Sequence, residues 1–272
     1  MNRITARMQE LAARGETAFI PYITAGDPTL EQSGEVLLEL ERAGADVIEY
    51  GIPFSDPVAD GIVIQEASQR ALKHNVSLRQ VVAQVKELRK KTEVPILLFS
   101  YFNPVLAYGI EAFARDCADV GADGVLCVDL PPEEAEEYKR IMVDAGIATV
   151  FLASPTTRTE RMGLIARFSE GFVYYVSRAG VTGVQDAVET SVQGMVEAVK
   201  SHSDIPVAVG FGIAKPEQAE EVARYADGVV VGSAIVDCIG KNGESPDLIE
   251  RVGAFVRPLV EATKRVKAEV AQ

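Results

Sequence analysis

Gly44-Ala45-Asp46-Val47-Ile48-Glu49-Tyr50-Gly51 carries the chain out of a helix and into a strand. Ahead of it, Leu30, Val36, Leu37 and Leu40 keep a helical apolar spacing, and Gly44 suits the residue that ends a helix. The phrase recurs as Gly121-Ala122-Asp123, Gly146-Ile147-Ala148 and Tyr225-Ala226-Asp227, each time between a helical pattern and a short apolar run. Outward from these points, strands are expected near 18–24, 46–50, 95–101, 123–128, 148–153, 171–177, 206–210 and 227–231. None alternates strictly between apolar and polar residues, so each is expected to be covered on both faces, as parallel strands are. Asp27-Pro28, Pro131-Pro132, Lys215-Pro216 and Ser245-Pro246 place prolines in the first turns of the helices between them.

Eight strand–helix units without a linker or low-complexity stretch predict an α/β fold, a (β/α)8 TIM barrel in which residues 1–272 form a single domain. An open doubly wound sheet is the alternative. The segment before Thr17 reads as an extra amphipathic helix, with Ile4, Met8 and Leu11 on the face that would plug the barrel bottom.

Composition removes several classes of function. The 27 Lys and Arg against 40 Asp and Glu give a net charge of −13, which argues against a duplex-binding surface. No apolar run approaches the ~18 residues of a membrane span, and the N-terminus lacks a signal-peptide core, so a cytoplasmic protein is expected. Cys117, Cys127 and Cys238 lie far apart without metal-ligand spacing and read as small side chains of a reducing compartment. The histidines, His74 and His202, belong to no ligand motif, so no metal is expected. No Lys falls in or just after a strand at the expected barrel mouth, which argues against a Schiff base.

Barrel chemistry sits at the C-terminal ends of the strands. Glu49 is the single charge near the end of an otherwise apolar strand. If it shares an inward face with Val47, it enters the mouth, where lost hydration raises a carboxyl toward the range of proton transfer. The alternative is a structural glutamate held by hydrogen bonds. Asp60, in a loop built from Pro53, Pro57 and Gly61, is placed to reach over the same mouth, and Asp129 follows the fourth strand; turn or capping roles compete for both. Later strand ends are rich in glycine: Ser177-Arg178-Ala179-Gly180-Val181-Thr182-Gly183, Gly210-Phe211-Gly212 and Gly232-Ser233. The apolar stretch Ala234 to Ile239 suits a short helix whose free N–H groups would face an anion, so these ends read as a phosphate site. Gly210-Phe211-Gly212 lacks the third glycine of a dinucleotide fingerprint.

Taken in order, Phe19-Ile20-Pro21-Tyr22-Ile23-Thr24-Ala25-Gly26-Asp27-Pro28, Glu49-Tyr50-Gly51-Ile52-Pro53-Phe54-Ser55-Asp56-Pro57, Ala59-Asp60-Gly61, Tyr101-Phe102-Asn103-Pro104, Asp129-Leu130-Pro131-Pro132 and the glycine-rich strand ends resemble the tryptophan synthase α subunit family. The resemblance spans nearly the whole chain. It implies retro-aldol cleavage of indole-3-glycerol phosphate to indole and glyceraldehyde 3-phosphate, with Glu49 as acid/base and Asp60 as its partner at the ring nitrogen. It places Tyr22, Tyr101, Leu126, Asp129, Leu152, Tyr174 and Phe211 around the indole, and Gly183, Gly212, Gly232 and Ser233 on the phosphate. Thr182 and Arg178 fall in a loop expected to close over substrate. Pro53, Phe54, Asp56 and Pro57 would face a β subunit in an α2β2 assembly, and an exposed Phe54 is expected there. No cofactor is implied in this chain; pyridoxal phosphate is implied only in the β subunit. Ile62 and Val128 stand where relatives often carry other residues. Another phosphate-handling barrel, or a subunit kept only to bind and activate β, are the competing readings.

Overall fold

The computed structural model describes residues 2–176, 185–210 and 212–270, with 185–191 and 267–270 described by their backbone alone. Nine strands are found among them: β1 (Ala18–Thr24), β2 (Ile48–Gly51), β3 (Ile96–Ser100), β4 (Gly124–Cys127), β5 (Ala148–Thr149), β6 (Leu152–Ala153), β7 (Val173–Val176), β8 (Val207–Gly210) and β9 (Gly228–Val231). They form one sheet in the order β5-β4-β3-β2-β1-β9-β8-β7-β6, and every pairing is parallel.

β5 and β6 are the two ends of the one strand expected over 148–153. Between them the Val150 N–H donates to the Val125 carbonyl at 3.1 Å, and the Phe151 carbonyl accepts from the Tyr174 N–H, also at 3.1 Å. Within two residues the chain passes from the β4 edge to the β7 edge, which closes the sheet into the expected barrel. The ninth strand is therefore a break in the fifth, because neither neighbour runs alongside all six residues.

The N-terminal helix Arg3–Ala13 plugs the bottom, as its apolar face predicts. Ile4, Met8 and Leu11 are buried in one cluster with Ala18, Ile20, Val47, Leu97, Leu126, Ala148, Phe172, Ala208 and Val230. Removing each large side chain from water is worth ~1.5–3 kcal/mol, which makes this helix part of the core. Pro216 opens the helix Pro216–Ala223 as expected, whereas Pro28 stands before the first turn, because Thr29 caps Leu30–Arg42 by accepting from the Gln32 N–H at 3.2 Å.

The recurrent aspartates do more than mark a boundary. The Asp46 N–H donates to the Phe19 carbonyl at 2.9 Å, and its Oδ2 accepts from the N–H of the same Phe19 at 2.7 Å. Asp123 repeats the two-bond clamp on Ile96 (3.0 and 2.8 Å), and Asp227 repeats it on Val207 (2.9 and 3.0 Å). Each clamp is tied outward to cations: Asp46 to Arg7 and Lys264, Asp123 to Arg3 and Arg89, Asp227 to Lys200. No helix among the described residues is long and apolar enough to cross a membrane.

Candidate active site

Side chains alternate across a strand, so inward residues recur every second position. On β1 the inward series Ala18, Ile20 ends at Tyr22; on β2, Val47 ends at Glu49; on β3, Leu97 ends at Phe99. Leu126 follows on β4 and Val128 just past its end, Leu152 on β6 and Tyr174 on β7, all packed on the barrel interior. The same parity leaves glycine at Gly210 and Gly232; at Gly210 a Cβ would run into the Tyr174 hydroxyl. The mouth is thus apolar on one side and glycine-lined on the other.

Glu49 is fully buried and sits in register with Tyr22 on β1 and Leu97 on β3. Neither carboxyl oxygen has a hydrogen-bond partner among the described residues. No hydrogen bond among the described residues holds it as a structural glutamate. Burial, uncompensated by any donor among the described residues, holds the carboxyl well above the usual range and favours its protonated form. Two phenols accompany it. Tyr22 and Tyr174 are both raised, first by burial; among the charges acting on Tyr22, Asp60 comes first, and on Tyr174, Glu49. Tyr22 fits because β2 ends in Gly51: a Cβ there would run into its hydroxyl.

Asp60 is half-buried, just before the helix Ile62–Lys73. Its loop is pinned from beneath by Tyr101, whose hydroxyl accepts from the Ala59 N–H at 2.9 Å, while the Gln65 amide donates to the Asp60 carbonyl at 2.8 Å. Burial pushes the Asp60 carboxyl up to about 6, and its hydrogen bond with Tyr101 acts in the opposite sense. Tyr101, expected as an indole contact, also holds the Asp60 loop. Phe99, two residues earlier and inward on β3, meets the Tyr22 ring edge-on at 5.2 Å and was not among the expected residues. The signal that could have found it is the parity of Leu97 and Tyr101.

The expected partner-facing loop departs from expectation at Phe54. Its ring lies 4.9 Å from Tyr101, tilted by 30°, so it is half-buried, because an aromatic ring beneath the loop gives it a surface to cover. Pro53 is buried and Pro57 half-buried, while Asp56 is exposed and accepts from the Ser55 hydroxyl at 2.6 Å. The exposed apolar side chains of this region are Val58 and Ile62, 88% and 73% accessible. Asp129 is exposed and its Oδ1 accepts from the Phe102 N–H at 2.7 Å, capping the helix Phe102–Tyr108.

Beyond β9, Gly232 precedes the helix Ser233–Asn242, longer than expected, with no acidic residue in its first turn. The first N–H groups of a helix lack partners within it, which is what an anion site requires. Gly212 has φ +76°, a left-handed conformation that favours glycine. Arg178, Thr182, Gly183 and Phe211 lie outside the described residues. Among the described residues no group of three or more His, Cys, Asp or Glu is arranged to hold a metal ion.

The family model "Tryptophan synthase alpha chain" matches residues 8–264. The tryptophan synthase alpha chain of Geobacter sp. (strain M21) is 49% identical over 259 residues, 95% of this chain and 97% of the relative. That of Citrifermentans bemidjiense is 50% identical over the same length and coverage. The crystal structure of tryptophan synthase subunit alpha from Legionella pneumophila superposes with a TM-score of 0.90 at 40% identity, covering 97% of this chain and 98% of that one.

Proposed function

Because the chain belongs to the tryptophan synthase alpha chain family, and is thereby a subunit of an enzyme, we propose that it is a carbon–carbon lyase releasing indole from indole-3-glycerol phosphate. The observation that carries the reading is the buried Glu49 carboxyl at the mouth, unpartnered among the described residues, with the charges of both Glu49 and Asp60 bearing on Tyr22.

Protonated Glu49 delivers its proton to ring carbon 3. The ring becomes an iminium cation, and Asp60, ionised, stabilises the positive charge at the ring nitrogen. Glu49, now a carboxylate, withdraws the proton of the hydroxyl next to the ring. The oxygen forms the aldehyde carbonyl, the carbon–carbon bond breaks, and its electron pair neutralises the iminium. Indole and glyceraldehyde 3-phosphate leave, and Glu49 is protonated again. The ring serves as the electron sink, so the chain works without a cofactor of its own; pyridoxal phosphate is assigned to the β subunit. Each proton transfer contributes ~10²–10⁴-fold, and the remainder falls to positioning and electrostatics. Phe99, Leu126, Leu152 and Tyr174 would wall the indole, and Gly212, Gly232 and the Ser233 helix would take the phosphate.

The partner is a tryptophan synthase β subunit, in an α2β2 assembly, docking on the loop with Asp56 and exposed Val58. Indole release measured with and without a β subunit tests the whole reading: slow release by the chain alone and stimulation by β are expected, and no release in either case rejects the reaction.

The acid limb provides a second check. Asp60 must be ionised to act, and burial has raised it to about 6, so kcat should fall as the pH drops through that value. A kcat flat from pH 5 to 8 would remove Asp60 from the charge-stabilising role.

A further inference from the structure

Buried polar groups in folded proteins are nearly always hydrogen-bonded, so a cluster left short of partners marks the place of a ligand. Three such atoms lie together at this mouth. Two are the oxygens of Glu49, which have no partner among the described residues. The third is the hydroxyl of Tyr22, whose hydrogen-bond partner among them is the Thr24 hydroxyl at 3.5 Å, the outer limit of such a bond. Tyr22 and Glu49 are directly paired in the β1–β2 register.

The Tyr22 side chain is fixed. It is 5% exposed, its ring stands at 78° to Phe99, and Gly51 leaves the clearance its hydroxyl occupies. The charges of Asp60 and Glu49 both bear on it, and burial keeps it protonated, so it is a hydrogen-bond donor. On the proposed substrate, the ring nitrogen is met by Asp60 and the phosphate by the helix at Ser233. The two hydroxyls of the three-carbon chain remain.

We infer that Tyr22 is a catalytic residue that donates its phenolic hydrogen to the substrate oxygen destined to become the aldehyde. As Glu49 withdraws the proton from that oxygen, negative charge gathers there and the bond from Tyr22 strengthens. The phenol gives up no proton and acts by holding developing charge. The interaction is stronger in the transition state than in the bound substrate, so its loss should appear in kcat more than in KM.

The inference rests on the proposed reaction, and Tyr22→Phe tests it, since only the hydroxyl is removed and the ring against Phe99 is kept. With β subunit present, kcat for indole-3-glycerol phosphate should fall about tenfold or more. The Kd of indole-3-propanol phosphate, which lacks both chain hydroxyls, should change less than twofold. An unchanged kcat overturns the role of Tyr22 while leaving the reaction in place. Equal weakening of substrate and propanol analogue overturns it as well, because the hydroxyl would then only shape the pocket. A variant that fails to bind the propanol analogue is misfolded at the mouth; Tyr22→3-fluorotyrosine, a stronger donor of nearly the same size, then decides, with kcat at least equal to wild type expected and a tenfold loss overturning the inference. No indole release by the unmodified chain overturns the reaction and this role together.

Discussion

Glu49→Gln should lower indole release by about 10³-fold or more and leave the fold as stable as before or more so. The amide keeps the shape of the carboxyl and neither delivers nor withdraws a proton, so both transfers at the breaking bond are lost. Stability follows from the absence of partners, since no ion pair or hydrogen bond among the described residues disappears with the charge. The pH dependence makes the point sharper. A carboxyl raised in the folded state binds more protons there than in the unfolded chain, so its stabilising contribution is complete below the ordinary carboxylate range and is lost as the pH rises through the raised value. The midpoint of thermal unfolding should therefore fall more steeply with pH in the wild type than in Glu49→Gln. Activity within threefold of wild type, or a variant less stable at high pH, would show that Glu49 is a structural residue after all.

Asp123→Ala should do the reverse, lowering stability by about 3–5 kcal/mol while the folded fraction keeps its activity. The substitution strands two groups at once. The Ile96 N–H loses its acceptor, and the Arg89 guanidinium, with 9% of its side chain exposed, loses its carboxylate. Arg89 still donates to the carbonyls of Gly121 and Val94, both at 2.7 Å, so it stays in place as a buried charge that has lost its paired carboxylate. Asp123→Asn keeps an oxygen for Ile96 and should lose less. Urea midpoints of the three proteins measure the series, and a loss below about 1 kcal/mol for alanine would mean that the clamp adds little to the ladder beside it.

The positions of the strands were legible because their interiors repel water on both sides, leaving apolar runs that few other elements produce. Glu49 was legible for the same reason, as one charge in such a run. What a run cannot display is which neighbour its backbone will find, so the break at Val150-Phe151 emerged only from the pairing. The exposure expected of Phe54, and the contact of its ring with Tyr101, escaped the sequence for a related cause. The sequence places both near the mouth, but whether a ring faces solvent, substrate or another ring depends on loop geometry that no periodicity encodes. The aspartates of the recurring phrase were visible as a pattern and silent as to purpose, because their partners lie 20 to 27 residues earlier in the chain.

Those clamps join β1 to β2, β3 to β4 and β8 to β9, and at the remaining pair, the split strand β5/β6 with β7, the Ser169 hydroxyl ahead of β7 accepts from the Phe151 N–H at 3.2 Å. The smallest segment that carries its own fastening is therefore two strands with their helices, a quarter of the ring. Such a quarter is a natural unit of exchange. Cut at the seams between quarters and spliced into another barrel, it would bring its bottom fastening intact and deliver two new strand ends to the opposite rim, where the chemistry is decided.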